Sequence, residues 1–227
     1  MNKLSKTQKR ILCYLVLVIM FVLMGNSNNV PEIFAERIFK PITGNGWRIY
    51  YSGLIVIIGI YYCLKQLNEM RENSLIRTRS RRIIIAIVLV SIFPAIWVYC
   101  IQFYKGFSKD LNAIYLDRDK GFMKFQGNED ELTINGTIDI TNCSNNKQSF
   151  QVKIKVPSLM KEYIKEEYIT LENEFKVNPK EEKTLCINEE LVIDKEAQYS
   201  GYTTNVLEYI LFNDKDEIVF KGMLEEY

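Results

Sequence analysis

The chain has 227 residues, with 29 Lys and Arg against 28 Asp and Glu, a formal net charge of +1, and a mean hydropathy of -0.08. These averages hide a division: residues 1–104 carry 13 basic and 4 acidic side chains, a net of +9, whereas residues 105–227 carry 16 and 24, a net of -8. An asymmetry of that size points to two regions in different surroundings, and the absence of histidine excludes the commonest general base, metal ligand and pH switch together.

In chain order, the first ten residues hold Lys3, Lys6, Lys9 and Arg10, followed by Ile11–Met24 without a charge. A basic stretch before a short apolar run also describes a signal peptide, and Gly25-Asn26-Ser27 offers small residues for cleavage. The run continues through Leu23 and Met24 without a polar break, so we read an uncleaved transmembrane helix over 11–25. Either reading leaves the topology downstream unchanged. Residues 26–46 follow as an extracytoplasmic loop. Within it, Ile33, Phe34, Ile38 and Phe39 fall near one face of a short helix between Pro31 and Pro41, a pattern suited to the membrane interface. A second span is expected over 47–64, flanked by Trp47, Tyr50, Tyr51, Tyr61 and Tyr62, whose rings favour headgroup depth. A third, over 83–104, has 22 residues and no charge. A hydrocarbon core of about 30 Å needs about 20 apolar residues, and Pro94 is tolerable in such a helix.

Orientation follows from Lys and Arg in the short loops. The N-terminus holds four and residues 65–82 hold six (Lys65, Arg71, Arg77, Arg79, Arg81 and Arg82), against only Arg37 and Lys40 in the loop between the first two spans. The positive-inside rule puts residues 1–10 and the 65–82 loop in the cytoplasm, and residues 105–227 outside the cell membrane. Arg77, Arg79, Arg81 and Arg82 are candidate contacts for anionic lipid headgroups. With 18 residues, that loop is too short for a folded domain.

Beyond the third span the apolar period becomes two. Leu132, Ile134, Gly136, Ile138 and Ile140 alternate with polar residues, as do Phe150, Val152, Ile154 and Val156, and then Ile169, Leu171, Phe175 and Val177. Such alternation marks strands with one face in a core and one in water. Further strands are expected at 113–116, 122–125, 184–193, 205–212 and 218–224. Turns are expected at 119–121, 142–146, 178–180 and 213–216, with one or two helical turns over 158–167 that Ser158 caps. About eight short strands over this length suit an immunoglobulin-like β-sandwich. The run Gly136-Thr-Ile-Asp-Ile-Thr-Asn142-Cys-Ser144, then Phe150-Gln-Val-Lys-Ile-Lys-Val156 and Pro179-Lys-Glu-Glu-Lys183, resembles bacterial extracytoplasmic immunoglobulin-like domains over residues 130–224. That resemblance implies a fold and, loosely, binding or spacing roles; fold alone does not imply function.

Candidate chemistry is sparse. Cys13, Cys63 and Cys100 lie in the spans and read as small hydrophobes. Cys143 and Cys186 are the two cysteines outside and form a candidate disulfide, although alternation puts both on the polar side of their strands. Two thiols without histidine do not make a zinc site. Ser158-x-x-Lys161 has the spacing of an acylating pair, but its companion motifs are absent and capping explains the serine. Asp117-x-Asp119-x-Gly121, followed by Glu129, Asp130 and Glu131, resembles a calcium loop whose glycine falls at the wrong position; a hairpin turn is simpler. Glu162 and Glu166 read as the solvated face of a short helix. Asn135-Gly-Thr137 and Asn142-Cys-Ser144 match the glycosylation sequon. No cofactor, metal or nucleic-acid partner is indicated.

The expectation is a multi-pass membrane protein with two or three helices and an extracytoplasmic sandwich. It is non-catalytic and binds or positions a membrane or envelope protein, as an accessory subunit would. The alternative is a sensor relaying an outer signal to the basic loop. A transporter is disfavoured, because the spans hold no interior acid or base to mark a substrate path.

Overall fold

The computed structural model describes residues 5–44, 47–69, 77–128, 131–161, 164–192, 202–204 and 207–222. The chain divides into two compact units, one of residues 1–27 and 32–99, the other of residues 28–31 and 100–227.

The first unit is built on helices α1 (Lys6–Leu23), a short α2 (Phe34–Ile38), α3 (Ser52–Glu69) and α4 (Arg79–Lys105), with a hairpin of β1 (Ile42–Gly44) and β2 (Trp47–Ile49) ahead of α3. A capping box starts α1: Gln8 N donates to Ser5 Oγ at 3.2 Å, and Ser5 N donates to Gln8 Oε1 at 2.9 Å. This satisfies two of the backbone donors that a helix start leaves open. The long helices run up, down and up. Cys13 of α1 meets Cys63 of α3 thiol to thiol, and Met20 packs on Gly59, where a Cβ would come within 2.8 Å of the methionine methyl. Phe21 stacks edge-on against Phe93 and Trp97 of α4, at 5.0 and 5.4 Å. The indole of Trp97 covers Gly25 so closely that a Cβ there would lie 2.1 Å from the ring, and its Nε1 donates to Asn26 O at 2.8 Å. At the opposite end Arg82 of α4 sits over the Tyr61 ring of α3. Lys6, Lys9 and Arg10 at the start of α1, Lys65 near the end of α3 and Arg79, Arg81 and Arg82 at the start of α4 therefore lie toward one end of the bundle.

Val56, Ile60, Cys63, Leu64, Leu67, Ala86 and Phe93 form the interior with Cys13 and Ala35. The outside is also apolar. Ile11, Leu15 and Val18 of α1, Leu54, Ile58 and Tyr62 of α3, and Ile83, Ile84, Ile87 and Tyr99 of α4 are all exposed. Among the described residues one helix, α4, is long and apolar enough to cross a membrane.

Three boundaries differ from the sequence reading. The second helix begins at Ser52 rather than 47, because Ile42–Gly44 and Trp47–Ile49 pair as strands; Asn45-Gly46 between them is the strongest two-residue hairpin sequence. The basic loop is shorter than 65–82, since α3 runs on to Glu69 and α4 already starts at Arg79. The loop segment expected at the interface instead folds inward: Ile33 and Phe39 pack on the helical core, Ala35 is fully buried, and Ile38 alone of the four faces out fully.

The second unit is mostly β. One antiparallel sheet has the order β8-β4-β3-β9, formed by β3 (Ile114–Asn128), β4 (Glu131–Asn142), β8 (Glu182–Val192) and β9 (Tyr202–Thr204). The other has the order β11-β10-β5-β6, with β7 also on β5, formed by β5 (Gln148–Lys155), β6 (Tyr168–Thr170), β7 (Phe175–Val177), β10 (Tyr209–Phe212) and β11 (Glu217–Phe220). Both sheets feed one apolar core, with Met123, Phe125, Ile134, Ile138 and Leu185 from the first and Phe150, Val152, Ile154, Leu211 and Phe220 from the second. The alternation read along 132–140 and 150–156 is the buried face of β4 and β5.

Two expected strands, at 113–116 and 122–125, are one. The 119–121 turn is an irregularity inside β3, where Asp117 pairs Asp139 but Phe122 already pairs Thr137. Both strands come close there: a Cβ on Gly121 would lie 2.9 Å from Thr137 O, and one on Gly136 2.3 Å from Phe122 O. Conversely, the third alternating set is two strands: β6 pairs the end of β5 at Lys153–Lys155 and β7 pairs its start at Gln148–Phe150. Over 158–160 the chain makes a 3₁₀ turn with Pro157, not Ser158, at the cap.

The segment Asn28–Pro31 belongs to this unit. Asn28 has a left-handed backbone, φ 67°, and its buried side-chain amide acts as a neighbouring strand. Its Nδ2 donates to Leu116 O at 2.8 Å, and Leu116 N donates to its Oδ1 at 3.0 Å. Beside it, Asn29 O accepts from Lys221 N at 2.8 Å. Lys105 Nζ donates to Asn29 Oδ1, Asn112 O and Ile114 O, the last at 2.7 Å. Asn28→Ala would strand two buried backbone groups at Leu116, each costing about 1–3 kcal/mol. We expect a loss of roughly 2–6 kcal/mol in denaturant unfolding of the full chain, with Asn28→Gly, which keeps the left-handed backbone, close to the lower figure.

Candidate functional site

The sandwich carries an open groove of about 570 Å³ along the start of β5 and the β10–β11 turn. Period-two alternation buries Phe150 beneath it and turns Ser149 and Gln151 outward. The turn is held by Asn213, whose Oδ1 accepts from the backbone N–H of Lys215 and of Asp216, both at 2.9 Å. Asn213 Nδ2 donates to Ser149 O of β5 at 3.1 Å, and Asn112 Nδ2 donates to Asp216 Oδ2 at 3.3 Å. The turn is thus fixed against the neighbouring strand. Charge around the groove is mixed, with Lys147 and Lys215 against Asp110, Glu174 and Asp214, and Gln148, Gln151 and Phe212 complete the lining. The Lys176 ammonium, 3.1 Å from Glu174, holds that carboxyl below its usual range. The concavity thus brings aromatic, amide and charged groups together. Alternation located the strands but not this groove, because its two sides are far apart in sequence.

Several sequence candidates have structural roles. Asn142 is fully buried. Its Nδ2 donates to the carbonyls of Asn146, Val177 and Asn178, and its Oδ1 accepts from Ser144 N and Ser144 Oγ. One side chain thereby ties the β4–β5 turn to the β7–β8 turn, and the sequon there offers no free acceptor. Lys120 Nζ lies 2.6 Å from Glu182 Oε1 and 3.4 Å from Asp117 Oδ2, taking the place a cation would need. Among the described residues no group of three metal-ligating side chains occurs. Ser158 is exposed. Glu129, Asp130 and Glu162 lie outside the described residues.

The candidate Cys143–Cys186 bridge is not formed; both thiols are free. In the β4–β8 register Cys186 stands opposite Thr137, six positions before Cys143, about 20 Å along the strand at 3.3 Å per residue. Cys143 is also not on a polar face: it is buried, and burial pushes its thiol up from the ordinary value. Of the four candidate lipid-binding arginines, Arg77, Arg79 and Arg81 are exposed. Arg82 is 7% exposed and covered by Tyr61, so it belongs to the bundle rather than to its rim.

The sandwich's tyrosines give it a pH signature. Burial pushes Tyr209 and Tyr115 up to about 12, and the hydrogen bond from Tyr168 Oη to Glu208 Oε1, at 2.7 Å, pushes Tyr168 up to about 12 as well.

No protein-family model, curated protein or solved structure matches this chain.

Two measurements check this arrangement. A folded state that holds phenol protons above the ordinary value of 10 is fully stabilised by them below pH 10 and loses that contribution as pH rises toward 12. Phenolate absorbance should therefore show a late-ionising fraction of the 14 tyrosines, appearing together with loss of β circular dichroism, and Tyr209→Phe should reduce it. Alkylation of the native chain should label Cys186 at least tenfold faster than Cys143, since only an exposed, ionisable thiol reacts readily. The peptide masses read this directly, and equal labelling would contradict the burial of Cys143.

Proposed function

We propose that this chain is a multi-pass cell-membrane protein whose helices α1, α3 and α4 cross the bilayer and whose sandwich lies outside, where it binds or positions a membrane or envelope protein. The observation that carries this reading is the membership of Asn28–Pro31 in the sandwich unit. The chain leaves that unit at 31 and returns to it at 100, so the intervening helices cross an even number of times. Two crossings by α3 and α4 satisfy that count, and α1, which packs along α3 through Cys13 on Cys63 and Met20 on Gly59, supplies a third. At 18 residues each, α1 and α3 reach about 27 Å, near the thickness of a bilayer core. Their exposed apolar side chains form an outer surface that water disfavours and lipid does not. The basic residues at one end mark the cytoplasmic side by the positive-inside rule.

An immunoglobulin-like fold is supported by strand order. With β3, β4, β5, β6, β8, β10 and β11 taken as A, B, C, C′, E, F and G, the sheets read A-B-E and C′-C-F-G. The groove beside β5 and the β10–β11 turn is the surface we assign to the partner. Its mixed charge and modest depth suit a peptide segment more than a small molecule, and the role is non-catalytic.

In intact cells a membrane-impermeant maleimide should label Cys186, and Cys186→Ser should lose that label; labelling only after permeabilisation would refute the topology. Mild crosslinking of the tagged chain should co-purify a membrane protein. Lys147→Glu with Lys215→Glu should reduce that yield at least tenfold while the maleimide pattern stays unchanged.

A further inference from the structure

The β1–β2 hairpin is amphipathic, and its apolar face is about half exposed among the described residues. In its register Ile42 stands opposite Ile49 and Gly44 opposite Trp47. Positions two apart on a strand share a face, so Ile42, Gly44, Trp47 and Ile49 share one. The indole of Trp47 lies across Gly44, where a Cβ would fall 2.3 Å from the ring. This leaves a flat apolar patch, with Ile42 55%, Trp47 49% and Ile49 53% exposed. The remaining register pair is Thr43 with Arg48. A two-stranded hairpin standing alone in water is marginal, and one with three large apolar side chains on a bare face needs something to cover it.

We propose that this face lies flat in the outer leaflet, at the level where the acyl chains meet the headgroups, and sets the depth of α3. The inference rests on the membrane reading above and deepens it. Lipid is favoured over a protein partner by continuity and by charge. The patch leads through exposed Tyr50 into Leu54 and Ile58, the exposed apolar stripe of α3, with no polar interruption on the outer side. The hairpin therefore sits where the helix must leave the hydrocarbon, the depth that Trp and Tyr prefer. Residues 37–64 contain Arg37, Lys40 and Arg48 and no Asp or Glu, which complements anionic headgroups. Amphipathic elements of this kind insert about 5–10 Å below the headgroup surface.

The chain has two tryptophans, Trp47 and Trp97, so the difference in emission between the wild type and Trp47→Phe isolates Trp47. The full-length protein is reconstituted into phosphatidylcholine–phosphatidylglycerol vesicles containing phosphatidylcholine brominated high or low on the acyl chain. Emission from Trp47 should be quenched more strongly by the high bromines than by the low, should resist aqueous acrylamide, and should lose part of the quenching when phosphatidylglycerol is omitted. Ile49→Asn should return Trp47 to acrylamide. Trp97 in the Trp47→Phe protein reports the spans independently and should also be quenched by brominated lipid. If Trp97 responds to bromine while Trp47 responds only to acrylamide, the hairpin lies in water and the inference falls with the spans intact. If Trp47 responds to neither, a second copy or another protein covers it, and the inference falls. If neither tryptophan responds to brominated lipid, the membrane reading itself falls.

Discussion

The amide of Asn28 ties the segment after α1 into the β fold. A strand edge leaves backbone donors and acceptors unpaired, and β9 covers β3 only over Met123–Phe125. At Leu116 a side chain substitutes for the missing strand. It matches donor to acceptor and acceptor to donor, as a backbone would, and its left-handed φ turns the chain so that the amide can reach. Asn tolerates that conformation better than most residues. The carbonyls of Asn28 and Asn29 are then taken by Arg118 and Lys221. The connection after α1 is thereby part of the β fold.

A second constraint shapes the helical unit. Its helices are apolar on the face that packs and on the face that does not. Close approach is arranged with small residues, Gly25 under Trp97 and Gly59 under Met20. Small residues at such contacts let helix backbones approach closely. Rings interlock at one end through Phe21, Phe93 and Trp97, and at the other the guanidinium of Arg82 rests on Tyr61. The sandwich is the reverse case: one apolar core, polar outward positions, and turns fixed by asparagines (Asn142 and Asn213) that saturate nearby backbone groups. The two units differ in where their apolar side chains lie: on both faces of the helices, and inside the sandwich.

Much of this was legible in the residues. The uncharged run from Ile83 onward is a helix, and the period-two patterns at 132–140 and 150–156 are strands with the expected faces buried. Local signals were less decisive where two of them competed. Trp47–Ile49 looked like the start of an apolar helix, but pairing with Ile42–Gly44 across Asn45-Gly46 made it a strand. Asp119-Lys120-Gly121 has the composition of a turn, but the long pairing of β3 with β4 carried the chain through it as an irregularity. The groove was not legible, since Asp110, Lys147, Glu174 and Lys215 share no local pattern. The Cys143–Cys186 pair failed for the same reason in reverse: compartment and parity can suggest a bridge, but only the register shows the sulfurs six positions apart.

The amino-acid sequence alone determined the division of the chain into a basic apolar half and an acidic alternating half, and with it the class of each unit. Those properties are sums over local residues, and hydrophobic periodicity is itself local. It also excluded histidine chemistry outright. Tertiary structure decided the rest: which strand joins which sheet, that Asn28 closes the edge of β3, that Cys143 is inside and Arg82 is covered, and that Ile42, Trp47 and Ile49 share one uncovered face. Each of these depends on a partner distant in sequence or on the register of a pairing. A one-residue slip would invert every face, so no local pattern can specify them.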